Sequence, residues 1–204
     1  MLVDDAVDKL NALLPLAGRQ QELPAALREV HRRILRAFAE TGKAPQDIDR
    51  NAASALAAVD LIVLDEDGVI TGAYPFTVEQ TDHVVHLDEV AAHAMCSLDA
   101  LAMGPMFGAE TRTMSVCAQT GVPIVVAQRG NELIGSDPET PWIGIRWQQP
   151  CGPAASSLCR EMVFLADGAT AIAWRGDDLD SASLFPLPRA VEFAARFFVP
   201  LMAE

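Results

Sequence analysis

Positive charge is scarce in this chain. Fifteen lysines and arginines stand against 28 aspartates and glutamates, a formal net charge of -13. Nucleic-acid surfaces draw their affinity from neutralising phosphates with Lys and Arg, so this balance argues against DNA or RNA as a partner, and equally against an anionic membrane surface. No run approaches the roughly 20 apolar residues that cross a bilayer. The opening Met1-Leu2-Val3-Asp4-Asp5 lacks the basic and apolar regions of a signal peptide, so a cytoplasmic location is expected. The four cysteines, Cys96, Cys117, Cys151 and Cys159, form no C-x-x-C pair, which counts against a thioredoxin-type motif and a zinc ribbon. Without an export signal they are expected to be thiols.

What is present is a globular composition. Half of the 204 residues are hydrophobic, enough for one good core or two small ones. The first sixty residues read as helices over 4–15 and 24–41, the latter ending at Gly42, with short pieces near 45–50 and 52–60. A hairpin follows, with Leu61-Ile62-Val63-Leu64 and Val69-Ile70-Thr71 joined by the turn Asp65-Glu66-Asp67-Gly68. That order is winged-helix-like. His31, Arg32, Arg33 and Arg36 make a basic patch, yet the candidate recognition segment from Asn51 to Leu56 offers almost no phosphate or base contacts.

Beyond Thr77 the pattern turns to strands, expected over 83–87, 111–118, 122–128, 142–147, 158–166 and 169–174. A helix is expected over 88–107, with Asp88 as its cap, and another over about 189–202. Residues 148–157 read as a flexible loop. The fold expected is α+β: a helical winged-helix-like domain over 1–80, then a mixed or antiparallel sheet domain with flanking helices over 81–204.

Cys96-Ser97-Leu98-Asp99 carries the strongest chemical signal. On a helix, Cys96 and Asp99 share a face, and a carboxylate among Leu98, Ala100, Leu101 and Ala102 costs free energy unless it is paired or used. Asp99 can take the thiol proton, leaving a thiolate for a soft metal or an electrophile. Cys159 follows the loop at the start of an apolar strand, where a thiol is both held and reached. Cys117, beside a tight turn, is expected to pack, and Cys151 lies in the loop, free to hand a metal in or out. His83, His86 and His93 suggest zinc, but His83 and His86 point to opposite faces of a strand, while His93 shares a helix face with Cys96. The Asp65-Glu66-Asp67 turn is too short for a calcium loop.

The run from His93 to Leu101, then Val116-Cys117-Ala118-Gln119-Thr120-Gly121-Val122-Pro123 and Leu158-Cys159, resembles the alkylmercury (organomercurial) lyases of bacterial mercury resistance. The similarity is clearest over 84–128 and returns at 157–166. It implies that Cys96, Cys159 and Asp99 are the catalytic and mercury-binding residues and that Cys117 is structural. It further implies protonolysis of the carbon–mercury bond, yielding a hydrocarbon and Hg(II) on two thiolates, with Cys96 displacing the counter-ligand, Cys159 adding second and Asp99 carrying the proton. No cofactor is implied beyond external thiols. The partners implied are an organomercurial, small cellular thiols and a mercuric reductase that receives the metal. Two positions depart from a family member: Met95 replaces a tryptophan and Arg160 a second cysteine. A soft-metal sensor and a thiol redox protein are the competing expectations.

Overall fold

The computed structural model describes residues 1–203. Four helices open the chain, α1 (Val3–Leu13), α2 (Leu16–Glu22), α3 (Ala25–Thr41) and α4 (Arg50–Ala58). Asp49 caps α4, its carboxylate accepting from the amides of Asn51 and Ala52. Gly42, at φ 68°, closes α3 in the left-handed conformation that a side chain disfavours. The segment near 45–50, expected as a helical piece, is irregular up to Arg50, and α2 was not expected at all.

An eight-stranded antiparallel sheet follows. It comprises β1 (Ile62–Leu64), β2 (Ile70–Ala73), β3 (Phe76–Thr77), β4 (Val84–Leu87), β5 (Val90–Ala94), β6 (Glu110–Val116), β7 (Pro123–Arg129) and β8 (Glu132–Asp137), in the order β1-β2-β3-β5-β4-β6-β7-β8. The β1–β2 turn is held by the Asp65 carboxylate, which accepts from the amides of Asp67 and Val69 and is thereby occupied. A second sheet orders β9 (Trp142–Arg146) between β10 (Met162–Leu165) and β11 (Ala182–Pro186). Helices α5 (Ser97–Phe107), α6 (Gly168–Arg175) and α7 (Leu187–Phe198) complete the α+β fold.

Several expectations fail, each for a physical reason. The helix expected over 88–107 is split. Asp88, at φ 48°, is a turn residue joining β4 to β5 rather than a cap, and Val90–Ala94 pairs with β4 on one edge and β3 on the other. Pairing on both edges overrides the helical preference of its alanines. The helix begins at Ser97, so His93 and Cys96 do not share a helix face. Likewise 169–174, expected as a strand, lies in α6, started by Asp167 accepting from the Thr170 amide at 2.7 Å. The strand expected over 158–166 begins only at Met162, after a 3-10 turn over Leu158–Glu161. The last helix yields at Val199 to another 3-10 turn, because Pro200 has no amide hydrogen to continue it. Strands β8 and β11 were not expected.

α5 is the centre of the core, packed against α7, β4, β6 and β10. Residues Ser97 to Gly104 are all buried, so this helix is apolar around its whole circumference. Pro105 inside it cannot donate to the Leu101 carbonyl one turn back, and the buried Gln128 side chain of β7 donates there instead at 3.2 Å. Among the described residues no helix is long and apolar enough to cross a membrane. The basic patch on α3 is spent locally: Arg32 and Arg36 pair with Glu29, and Arg33 with Asp47.

His31, fully buried, accepts from the Gln20 amide at 2.7 Å, and burial lowers its pKa to about 4. The unfolded chain therefore takes up a proton that the native one refuses as pH falls from about 6.5 towards 4, and stability drops across that window. His31→Gln cannot titrate, so between pH 7 and pH 5 it should lose about 2 kcal/mol less stability than the wild type in urea titrations. Equal losses would contradict a neutral buried His31.

Candidate active site

Cys96 ends the extended segment after β5 and is itself the N-cap of α5. Its backbone is extended (φ -155°, ψ -179°), and its sulfur accepts from the Asp99 amide at 3.4 Å. The contact inferred from C-x-x-D therefore exists, but it arises from capping, with a sulfur in the place usually taken by an oxygen. Asp99 sits in the first turn of α5, where the helix dipole favours negative charge. Cys159 reaches the same point from the 3-10 turn that precedes β10. The two sulfurs and one Asp99 oxygen all lie within 4.8 Å of one another. Among the described residues no other group of histidines, cysteines and carboxylates converges in this way.

All three are sealed from solvent, with exposures of 2, 1 and 3% for Cys96, Asp99 and Cys159. Asp99 Oδ2 and the Ser97 hydroxyl have no hydrogen-bond partner. Burial pushes the Asp99 pKa up to about 7, against the opposing pull of hydrogen bonds from Cys96 and Cys159. Burial likewise drives the Cys96 thiol well above its ordinary range, helped by its neighbours Cys159 and Asp99. For Cys159 the hydrogen bond with Cys96 acts to lower the pKa, but burial together with Asp99 and Asp60 raises it on balance. In the resting site the thiols keep their protons, and the carboxyl is the group poised to exchange one at neutral pH.

A clamp holds Cys159 in position. Asp60, at φ 51° just past α4, takes the Tyr74 hydroxyl at 2.8 Å, the Ala154 amide at 3.3 Å and the Arg19 guanidinium at 3.3 Å. Tyr74 in turn accepts the Ala155 amide at 2.9 Å. The loop over 148–157 is thereby tied down four residues before Cys159, within a 3-10 turn over Ala154–Ser156. None of these residues was singled out from sequence, since no local pattern links positions 80 to 95 residues apart. Met162 is a further addition, its sulfur 3.8 Å from that of Cys96.

The remaining candidates lie apart. Cys117 is buried between the β6–β7 turn and β10, its sulfur accepting the Ala166 amide at 3.3 Å while Ala118 donates to Phe164 O. Cys151 is exposed on the loop. His83 bonds Ser115 Oγ at 2.8 Å and His93 accepts the Thr81 amide, so the histidines serve separate local contacts and form no zinc site.

A sequence model of the alkylmercury lyase family matches residues 76–199, a span that holds Cys96, Asp99, Cys117 and Cys159. The crystal structure of the mercury-bound form of MerB2 shares the fold, with a TM-score of 0.75 and 21% identity over 92% of this chain and 98% of that one. With more than half of its length matched, the chain belongs to the alkylmercury lyase family and is a lyase.

Proposed function

We propose that this protein cleaves the carbon–mercury bond of organomercurials by protonolysis at Cys96, Asp99 and Cys159. The observation that carries this is the convergence of two thiols and a carboxyl within 4.8 Å, all buried. Soft thiolates are the protein ligands suited to a metal as soft as mercury(II). A carboxyl whose pKa lies near 7 suits both halves of a proton relay.

The order of attack follows from access. Cys159 forms part of the wall of a cavity of about 280 Å³, and Cys96 does not line it. Cys159 therefore displaces the counter-ligand X of R–Hg–X first, the reverse of the order the family resemblance suggested, and its proton departs with X. Cys96 then gives its proton to the Asp99 carboxylate, and its thiolate adds to mercury. Electron density from two sulfurs weakens the carbon–mercury bond. Asp99 returns the proton to carbon, whose bonding pair becomes the new C–H bond. R–H leaves, Hg(II) stays on two thiolates, and Asp99 is again a carboxylate. No redox change and no resident cofactor enter this balance. A metal held so deeply leaves by exchange with entering thiols, from which a mercuric reductase could receive it.

Incubation with phenylmercury and excess thiol should release benzene, measured by gas chromatography, and Cys96→Ser or Cys159→Ser should lower the rate by about 10³-fold or more. Benzene at wild-type rates from either variant would exclude the two-thiol mechanism. Since Asp99 must be a carboxylate to accept the Cys96 proton, kcat/KM should fall as pH drops through about 7. A profile flat from pH 8 to 6 would contradict that role. Tyr74→Phe strands the Ala155 amide and one Asp60 oxygen, which should cost about 1–3 kcal/mol in denaturant titrations. It should also make residues 148–157 more susceptible to limited proteolysis, whereas unchanged stability and cleavage would argue against the clamp.

A further inference from the structure

Two cavities meet beside Cys159. The first, with Cys159 in its wall, is mainly apolar, lined by Val116, Met162, Val163 and Phe164 together with Asp82 and the His83 ring, whose burial lowers its pKa to about 4 and keeps it neutral. The second, about 290 Å³, is polar, walled by Thr71, Thr77, Glu79, Gln80 and Ser156. Thr81, Met95 and Arg160 belong to both, so the two spaces adjoin along those three side chains. Arg160 immediately follows Cys159 and is exposed, and Glu79 faces the polar cavity with it. Among the described residues neither forms an ion pair with the other or with any third group. Opposite charges that share the wall of one polar space without pairing match a ligand that carries both signs.

We propose that the polar cavity binds the sulfur ligand of the incoming organomercurial, and that this ligand is an α-amino-carboxylate thiol of the cysteine type. This rests on the proposed carbon–mercury cleavage. Arg160 takes the carboxylate and Glu79 the ammonium, while the organic group enters the apolar cavity. Mercury is thereby set at the boundary, next to Cys159. The exchange is R–Hg–SR′ + Cys159–SH → Cys159–S–Hg–R + R′SH: one sulfur–mercury bond breaks, another forms, and the Cys159 proton leaves on the departing carrier. The Gln80 side chain is a further hydrogen-bonding group of the cavity wall, whereas the hydroxyls of Thr71, Thr77, Thr81 and Ser156 already donate to backbone carbonyls and remain there as acceptors.

The test delivers phenylmercury as its adducts with L-cysteine, 3-mercaptopropionate and 2-mercaptoethanol, at matched free thiol, and measures benzene release. The wild type should favour the cysteine adduct over the 2-mercaptoethanol adduct in kcat/KM. Arg160→Gln should reduce that preference about tenfold, the worth of one charge-assisted contact, and Arg160→Lys should restore part of it. Glu79→Gln should lower the preference for cysteine over 3-mercaptopropionate, which lacks the ammonium. Equal use of all adducts by the wild type, or an unchanged preference in Arg160→Gln, overturns the carrier site while leaving carbon–mercury cleavage intact. Benzene from none of the adducts overturns both.

Discussion

One carboxyl and two thiols are buried in mutual contact, and the groups that act on their ionisation are one another and Asp60, with no lysine or arginine among them. In such surroundings a second negative charge is costly, so the site holds its protons until a cation arrives. In the proposed reaction a soft cation that binds two sulfurs supplies the missing positive charge and frees the thiol protons one after the other. Among the described residues Asp99 is the one carboxyl grouped with both sulfurs, and an oxygen left without a partner is available to store a proton. In the proposed reaction substrate and proton are thereby coupled by electrostatics before any bond to carbon is weakened.

The scaffold serves that constraint from two directions. α5 is buried on every side, and its N-terminus places Cys96 and Asp99 where amides and the helix dipole meet negative charge. Its internal Pro105 would leave a buried carbonyl orphaned if Gln128 did not occupy it. Cys159 comes from a segment with little regular structure of its own, so its position is fixed by contacts made elsewhere in the chain. The left-handed Asp60, the Tyr74 hydroxyl and two loop amides perform that task. Such a clamp lets the loop also form the polar rim beside the site, where Ser156 and Arg160 lie.

Much of this was legible in the sequence, and the errors have physical causes. The hairpin at 61–71, the strands β6, β7 and β9 and the long α3 carry strong local signals, and each is present. Val90–Ala94 misleads because alanine favours helix in isolation, while pairing on both edges decides otherwise. Residues 169–174 mislead in the other direction, an apolar run made helical by a cap at Asp167. The proximity of Cys96 and Asp99 was readable from spacing, although capping rather than a shared helix face produces it. Cys159 acquired meaning only through resemblance to the lyases, because its meeting with α5 depends on tertiary structure. Asp60, Tyr74 and Met162 left no trace in any local pattern for the same reason.

In the proposed mechanism, proton return by Asp99, and not mercury capture, breaks the carbon–mercury bond. Mercury L3-edge absorption spectroscopy of Asp99→Asn and wild-type protein, each after one equivalent of phenylmercury, tests it most directly. The variant, with no carboxylate to take the Cys96 proton, should hold mercury on the Cys159 sulfur alone with carbon still attached, and the wild type should show two sulfurs and no carbon. Loss of carbon to the same extent in both would contradict the account.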